Sequence, residues 1–213
     1  MDTNIFSESD NDFWGEAEDN RTSIAEKIVE DKAIKLKIAE ADKAFRKIRT
    51  LHDLCPIPKP GEQWRIITEK QFNAFALIQG AVESDVIEEL YLAVYRINEP
   101  IVANLIDLIE SGKIRRTTFV ISSFFNQTKK PEQWAKRLRE YCANNPNTSH
   151  IYCHNHSKVV AFQTQGGGYF VFEGSGNMSD NARIEQYLYE QSEASYNFHK
   201  EWMLELVDKY GKK

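Results

Sequence analysis

The stretch NHSKVVAFQTQGGGYFVFEGSGN, from Asn155 to Asn177, constrains the fold of this chain more than any other feature of the sequence. It contains two apolar runs, HSKVVAFQ and YFVFEGSGN, on either side of the glycine-rich turn TQGGG. Such a turn joins neighbouring antiparallel strands, so the two runs are predicted to form a hairpin. Side chains alternate between the faces of a strand, so His156 and Lys158 are predicted to share one face of the first strand. Ser175 and Asn177 are predicted to share one face of the second strand.

Short β-rich runs alternate with amphipathic runs before this hairpin. WRIIT, RTTFVISS, HIYCHN and the second half of IEELYLAVYRI are typical of strands, and IEQYLYEQ is a further strand candidate after the hairpin. Helices are predicted for QFNAFALIQGAV, EPIVANLIDLIESGK, KKPEQWAKRLREYCANN and FHKEWMLELVDKY. This order indicates an α/β protein, in the form of an α+β sandwich with a mixed β-sheet flanked by helices.

The first 61 residues are predicted to lie outside this sandwich. Residues 1–21 are acidic and show no periodicity, so we expect a disordered tail. A helical arm is predicted over residues 22–54, followed by a proline-rich linker, CPIPKPG, over 55–61 and the folded domain over 62–213. The arm carries an apolar stripe that is expected to pack either on the protein's own body or on a partner such as a second copy. Its residues are Ile34, Ile38, Ala41, Phe45 and Ile48.

Composition restricts the location and the partners of the chain. No apolar run approaches eighteen residues and no secretory leader is recognisable, so we expect neither a membrane helix nor secretion. Three cysteines without disulfide-like spacing indicate a reducing cytoplasm. The net charge of −5 argues against a coat of positive charge but permits a local basic groove for a polyanion. A basic cluster could supply such a groove: Lys113, Arg115, Arg116, Lys129, Lys130, Lys136, Arg137 and Arg139.

The polar residues of the predicted hairpin suit a phosphoryl group. An imidazole can attack phosphorus or transfer a proton, and a lysine supplies a compact cation. Serine and asparagine add neutral hydrogen-bond donors for the non-bridging oxygens. Gly174 and Gly176 lack side chains, so the backbone there can come close to a ligand.

These residues carry a resemblance to a known family. His156-x-Lys158, followed by Gly174-Ser175-Gly176-Asn177, resembles the signature of the phospholipase D superfamily, H-x-K-x4-D followed by G-S-x-N. The resemblance covers roughly residues 61–213. The chain departs from the pattern at Gln163, where the family has aspartate, and this leaves activity open.

The resemblance implies a mechanism and a set of roles. His156 would attack a phosphodiester and form a phosphohistidine, while a second histidine protonates the leaving oxygen and water then releases the phosphate. Lys158 and Asn177 would hold the phosphate, with Ser175 as an auxiliary donor and no metal or other cofactor. Glu185 is the candidate for the acid that orients the histidine, facing the site while its neighbour Ile184 packs inward.

Glu190 is the alternative for that acid. Single-motif members of the family are often nucleases that dimerise, so the resemblance implies a homodimer with a shared active site, acting on nucleic acid as a metal-independent endonuclease. The alternative is a catalytically inactive module that binds DNA or a protein partner, for which Gln163 would mark relaxed catalytic demand. A zinc site in YCHNH is disfavoured, because Cys153 would face away from His154 and His156 on a strand.

Overall fold

The computed structural model describes the backbone of residues 42–48 and the whole of residues 57–68, 74–126, 132–179 and 184–211. Eight strands in this part of the chain form one mixed sheet in the order β1-β2-β8-β7-β6-β3-β4-β5. The strands are β1 Asp42–Ile48, β2 Glu62–Thr68, β3 Ile87–Val94, β4 Ile114–Ser122, β5 Thr148–Cys153, β6 Lys158–Thr164, β7 Tyr169–Gly174 and β8 Glu185–Gln191. The predicted mixed sheet flanked by helices is therefore confirmed.

Helices cover both faces of this sheet. The described helices are α1 Phe75–Ser84, α2 Glu99–Glu110, α3 Gln133–Asn144 and α4 Glu193–Tyr210. Strand β3 illustrates the division: Leu90, Leu92 and Val94 point into the larger core with α1, α2 and α3. Tyr91 and Ala93 point the other way, into a smaller core with α4. Burial on both faces is typical of strands that helices sandwich, and it explains the continuous apolar runs in the sequence.

The prediction of a helical arm over residues 22–54 is wrong over Asp42–Ile48. This segment is β1, an edge strand that pairs parallel with β2, with Asp42 opposite Glu62 and Ile48 opposite Thr68. An unpaired strand edge offers a row of backbone donors and acceptors, and pairing with it outweighs the weak helical preference of the local sequence. The other residues of the predicted arm, the tail and Cys55 and Pro56 of the linker lie outside the described residues.

Side-chain caps mark the starts of α2 and α4. Helix α2 begins after Asn98, whose side chain accepts a hydrogen bond from the Ile101 N–H at 3.1 Å, and Pro100 occupies its first turn. Helix α4 begins after Ser192, which accepts from the Ser195 N–H at 3.2 Å, five residues earlier than the predicted start at Phe198. Strand β3 likewise begins earlier than predicted, at Ile87. No helix in the described ranges is long and apolar enough to cross a membrane.

The chain crosses the edge of the sheet between β5 and β6. Strand order places β3 and β4 between these two strands, so the connection passes over the ends of both. Asn155 secures the crossing by donating its side-chain N–H to the carbonyl oxygens of Val94, at 3.3 Å, and Val120, at 2.9 Å. His156 and Lys158 follow Asn155 closely in the chain, so they lie at the edge of the sheet where β3 and β4 end.

Candidate active site

His156 lies in the connection just before β6, rather than within the predicted strand. It is exposed, whereas Asn155 and Ser157 on either side are partly buried. The Ser157 N–H and hydroxyl both bond to the Asn155 side-chain oxygen, which closes a tight local turn. The imidazole packs against Tyr95, with ring centroids 4.6 Å apart. His156 is thus presented to solvent from a backbone that hydrogen bonds hold on both sides.

Lys158 is the first residue of β6 and pairs with Val94 at the end of β3. Its ammonium donates to the His156 carbonyl oxygen at 2.9 Å and lies 3.3 Å from His156 Nδ1. It also lies 5.6 Å from the centre of the Tyr95 ring, within reach of a cation–π interaction. Burial lowers the pKa of Lys158, and the negative charge of Glu185 opposes this effect. The two members of the predicted His-x-Lys pair therefore meet directly.

Ser175 and Glu185 form a second pair beside the first. The Ser175 hydroxyl donates to the Glu185 carboxylate and accepts from the Gln186 N–H at 3.1 Å. Strands β7 and β8 bring these residues together, since Gly174 lies opposite Tyr187 in the antiparallel register. In the part of the chain that the structure describes, no hydrogen bond joins Glu185 to His156. Glu185 therefore meets the site through Ser175 and through its charge on Lys158.

The predicted surroundings of Glu185 differ from those observed. Ile184 is 71% exposed instead of packing inward. The alternative acid, Glu190, lies near the far end of β8, where its carboxylate accepts from Gln63 at 2.8 Å. Ser175 is thus joined to Glu185 and not to Glu190. The register decides this, because Gly174 lies opposite Tyr187, near Glu185, whereas Glu190 lies opposite Val171 farther along β7.

Asn177 follows β7 in a segment anchored to another part of the sheet edge. Its neighbour Met178 exchanges backbone hydrogen bonds with the loop after β3, donating to Arg96 at 3.1 Å and accepting from Asn98 at 3.2 Å. Met178 is fully buried. The Asn177 side chain is partly buried and stands outside the lining of the groove described next.

An open groove of about 1180 Å³ lies where His156, Lys158 and Ser175 meet. It is lined by residues at and near the ends of β6, β7 and β8 and by residues of β2. Its described lining is Arg65, Ile66, Ile67, His156, Ser157, Lys158, Val159, Glu173, Gly174, Ser175, Gln186, Tyr187 and Leu188. The volume suits an extended ligand or a second protein surface better than a single small molecule.

Tyr95 is a residue of this site that sequence reasoning missed. It directly follows β3, and its ring contacts both His156 and Lys158. In the sequence it stands sixty-one residues before His156, in a run that reads as part of a strand, so nothing local signals the contact.

Gln163, at the position of the family's aspartate, lies away from the groove. Lys158 begins β6, and Gln163 lies near its opposite end, where its side-chain N–H donates to the Tyr169 hydroxyl at 3.4 Å. The register places Gln163 opposite Glu89 on β3 and Tyr169 on β7. Gln163 therefore lies within the sheet, at the opposite end of β6 from Lys158 and outside the groove lining.

The basic cluster predicted from sequence is divided in the structure. Arg115 and Arg116 lie at the start of β4, opposite the end that points to His156, and pair with Glu88 at 2.7 Å and Glu89 at 2.9 Å. On α3, Lys136 pairs with Glu140 at 3.8 Å and Arg137 with Glu99 at 3.1 Å. Acidic neighbours thus offset much of this charge, so the described part of the cluster forms no single basic surface beside the groove.

The described residues include no group of three or more histidine, cysteine, aspartate or glutamate side chains that could hold a metal ion. Cys153 is partly buried, and burial raises the pKa of its thiol to about 11. A protonated thiol is a poor metal ligand and a poor nucleophile. This cysteine behaves as a small apolar residue of the sheet.

Replacing Gly174 with alanine is expected to destabilise the fold by about 2–3 kcal/mol, because β7 and β8 approach too closely there for a side chain. An added Cβ would overlap the Tyr187 ring and the Gln186 carbonyl oxygen. Urea unfolding should measure the loss, with Gln186→Ala, an exposed change on the adjacent strand, as the control. Equal unfolding free energies for the parent and the Gly174 variant would contradict this account of the site's geometry.

Comparison with known proteins gives likenesses only at the level of structure. No protein-family model matches the chain, and no curated protein matches it in sequence. Nuc from Salmonella typhimurium, a phospholipase D family member, is 15% identical with a TM-score of 0.49, and the alignment covers 70% of this chain and 97% of Nuc. TrmBL2, an archaeal chromatin protein that binds DNA, is 15% identical with a TM-score of 0.44, and the alignment covers 70% of this chain and 52% of TrmBL2.

Phosphatidylserine synthase from Haemophilus influenzae gives 10% identity and a TM-score of 0.41, with coverage of 70% of this chain and 38% of the synthase. A phospholipase D family member is thus among the solved structures that this chain resembles. At these identities and TM-scores the likeness decides nothing about the reaction, which has to be argued from the residues of the site.

Proposed function

We propose that this protein is a phospholipase D-like phosphodiesterase that cleaves nucleic acid through a covalent phosphohistidine on His156. The observation that carries the proposal is the contact between His156 and Lys158, whose Nδ1 and Nζ atoms lie 3.3 Å apart at an open groove. Ser175, which donates to Glu185, lines the same groove. A nucleophile, a cation and a hydroxyl donor next to one another are the groups that attack on a phosphodiester requires.

The first step joins an imidazole nitrogen of His156 to phosphorus and breaks the bond from phosphorus to the leaving oxygen. The leaving oxygen takes a proton from a second histidine acting as general acid. In the second step that histidine, now neutral, accepts a proton from water, and the water oxygen displaces His156 from phosphorus. The net result is hydrolysis of one phosphodiester, with both histidines returned to their starting states.

Lys158 has to exchange partners when substrate binds. A lysine ammonium only donates hydrogen bonds, so its approach to His156 Nδ1 favours the tautomer with the proton on Nε2. A bound phosphate attracts the ammonium more strongly than the neutral ring does, and this movement releases Nδ1. Lys158 then holds the phosphate oxygens, and Asn177 joins it by turning its side chain toward the groove, whose lining it stands outside in this structure. Glu185 acts as the acid of the site through Ser175 and its charge on Lys158.

The second histidine comes from a second copy of the chain. The chain contains one His-x-Lys and one Gly-Ser-Gly-Asn, so a single copy supplies one such nucleophile. A two-fold symmetric dimer with its axis at the groove brings two copies of His156 to one phosphate. The open groove and the exposed Ile67, at 46%, are compatible with such an interface. The arm before β1 remains a candidate for a further contact with a second copy or with another protein.

A second candidate function is a catalytically inactive module that binds DNA. Gln163 favours it, because an aspartate stands at this position in the family signature. In that case the protein binds DNA without cleaving it, and His156→Ala leaves binding unchanged.

Cleavage of plasmid, single-stranded DNA and RNA is expected to proceed in the presence of EDTA, because Lys158 rather than a metal ion neutralises the phosphate. Purified full-length protein is incubated with each substrate with and without EDTA, and with magnesium or zinc added back. Equal rates with and without EDTA support the proposed chemistry. Complete loss with EDTA that a metal restores contradicts it, because activity then depends on a metal ion. Intact substrates under every condition contradict the nuclease proposal.

A further inference from the structure

An aromatic cluster extends from His156 toward solvent. Tyr95 follows β3, while Phe124 and Phe125 lie in the short 3₁₀ turn Ser123–Asn126 that follows β4. Strands β3 and β4 are parallel neighbours, so the residues after them reach the same edge of the sheet. We call Tyr95, Phe124 and Phe125 the aromatic shelf. Its inner member, Tyr95, is the ring that packs against His156.

Packing from behind holds the aromatic shelf in place. Phe125 is buried, meets Tyr95 edge-on with centroids 5.4 Å apart, and contacts Trp134 of α3 at 5.8 Å. The Phe124 N–H donates to the Ser122 hydroxyl at 3.4 Å, which supports the turn. A surface ring supported in this way loses little freedom when a ligand covers it, so it is suited to binding.

Phe124 is the exposed end of the aromatic shelf, with 52% of its surface accessible. Its ring is inclined only 30° to that of Tyr95, at a centroid distance of 6.5 Å. A cation borders the shelf, since the guanidinium of Arg96 lies 5.9 Å from the Phe125 ring. Single exposed apolar residues are ordinary, but this one continues a line of rings that ends at the proposed nucleophile.

We propose that Phe124, supported by Tyr95, is a stacking site for the base of an unpaired nucleotide adjoining the phosphate held at His156. The inference rests on the proposed function and narrows its substrate to single-stranded nucleic acid. A nucleotide combines an anionic phosphate with a flat base. The site offers Lys158 to the phosphate and the ring of Phe124 to the base. Within a duplex both faces of a base are already covered by its neighbours, so only an unpaired base can lie on Phe124.

The test measures binding of a short fluorescent single-stranded DNA by anisotropy, with the full chain in a His156→Asn background that prevents cleavage. Phe124→Ala is expected to weaken binding roughly 5- to 100-fold, the range for loss of one base–aromatic stack. Phe124→Trp keeps the stacking surface and stays within about threefold of the parent. The matched control is Leu204→Ala, a 36% exposed apolar residue beside Thr117 and Thr148, at the opposite end of β4 and β5.

An abasic oligonucleotide of the same length separates stacking from other effects. The parent is expected to bind it weakly, and Phe124→Ala should cause no further loss. Unchanged binding of normal DNA by Phe124→Ala overturns the inference, as does an equal loss with abasic DNA or with duplex. Loss of binding to anionic phospholipid vesicles, with DNA binding intact, also overturns it and indicates a membrane contact instead.

Cleavage assays keep this inference separate from the proposed function. If Phe124→Ala cleaves single-stranded DNA at the same rate as the parent, the stacking site is overturned and the proposal of a phosphodiesterase still stands. Binding that depends on Phe124, in a protein with His156 that cleaves no nucleic acid, supports the stacking site and contradicts the phosphodiesterase. Unaltered thermal unfolding of Phe124→Ala is the check that the change acts on the surface alone.

Discussion

Replacing His156 with alanine is expected to lower phosphodiesterase activity by roughly 10³-fold or more while the protein remains folded. The variant removes the nitrogen that bonds to phosphorus, and the proposed mechanism gives that role to no other residue of the described site. Folding should persist because the side chain is exposed and its backbone is held through Asn155 and Ser157.

His154→Ala is the matched control for this experiment. His154 is also exposed and lies two residues earlier on the same connection, but no contact joins it to Lys158 in the described part of the chain. Initial rates on a defined oligonucleotide, together with thermal unfolding midpoints, compare the two variants with the parent. Wild-type rates for the His156 variant would show that another residue attacks the phosphate.

A heterodimer of one wild-type chain and one His156→Ala chain is expected to lose roughly 10²-fold or more of the activity of the wild-type dimer. If one copy of His156 attacks phosphorus and the other donates the proton, each heterodimer lacks either the nucleophile or the general acid. Loss of general acid catalysis alone costs about 10²- to 10⁴-fold. Two affinity tags on co-expressed chains allow the heterodimer to be purified away from both homodimers.

Two outcomes would count against the shared site. A heterodimer with half of the wild-type activity indicates two independent sites, one in each chain. Sedimentation that finds an active monomer at the assay concentration indicates that one chain is sufficient. A heterodimer of wild-type and His154→Ala chains carries the same tags and should keep full activity, which controls for tag and assembly effects.

Features that depend on a local pattern could be predicted from the sequence. Alternating apolar runs predicted the strands and helices, and the glycine turn predicted the antiparallel pairing of β6 and β7 that the structure contains. His156 and Lys158 are close because they are two residues apart, although His156 precedes β6 instead of lying on it as predicted. The contact of Ser175 with Glu185 was not predicted, because it depends on the register of β8 against β7, which the sequence does not display.

The strand β1 was missed for a related reason. Residues 42–48 have a spacing of apolar positions that fits a helix, and only the free edge of β2 makes them a strand. Edge pairing depends on a partner that comes later in the chain, at Glu62–Thr68, so no window around β1 contains the deciding information.

What the sequence by itself determined is the set of described strands and helices other than β1, together with the reactive groups at the ends of one hairpin, because turn chemistry and side-chain alternation act over a few residues. Only the tertiary structure decided which residues from distant parts of the chain lie next to His156. Tyr95 and Phe124 reach its edge because β3 and β4 are parallel and end together beneath the connection that Asn155 secures. Strand order also carried Arg115 and Arg116 to the opposite end of the sheet, where Glu88 and Glu89 pair with them. These neighbours depend on how segments far apart in the chain pack together, and the spacing of residues along the sequence does not show which segments do so.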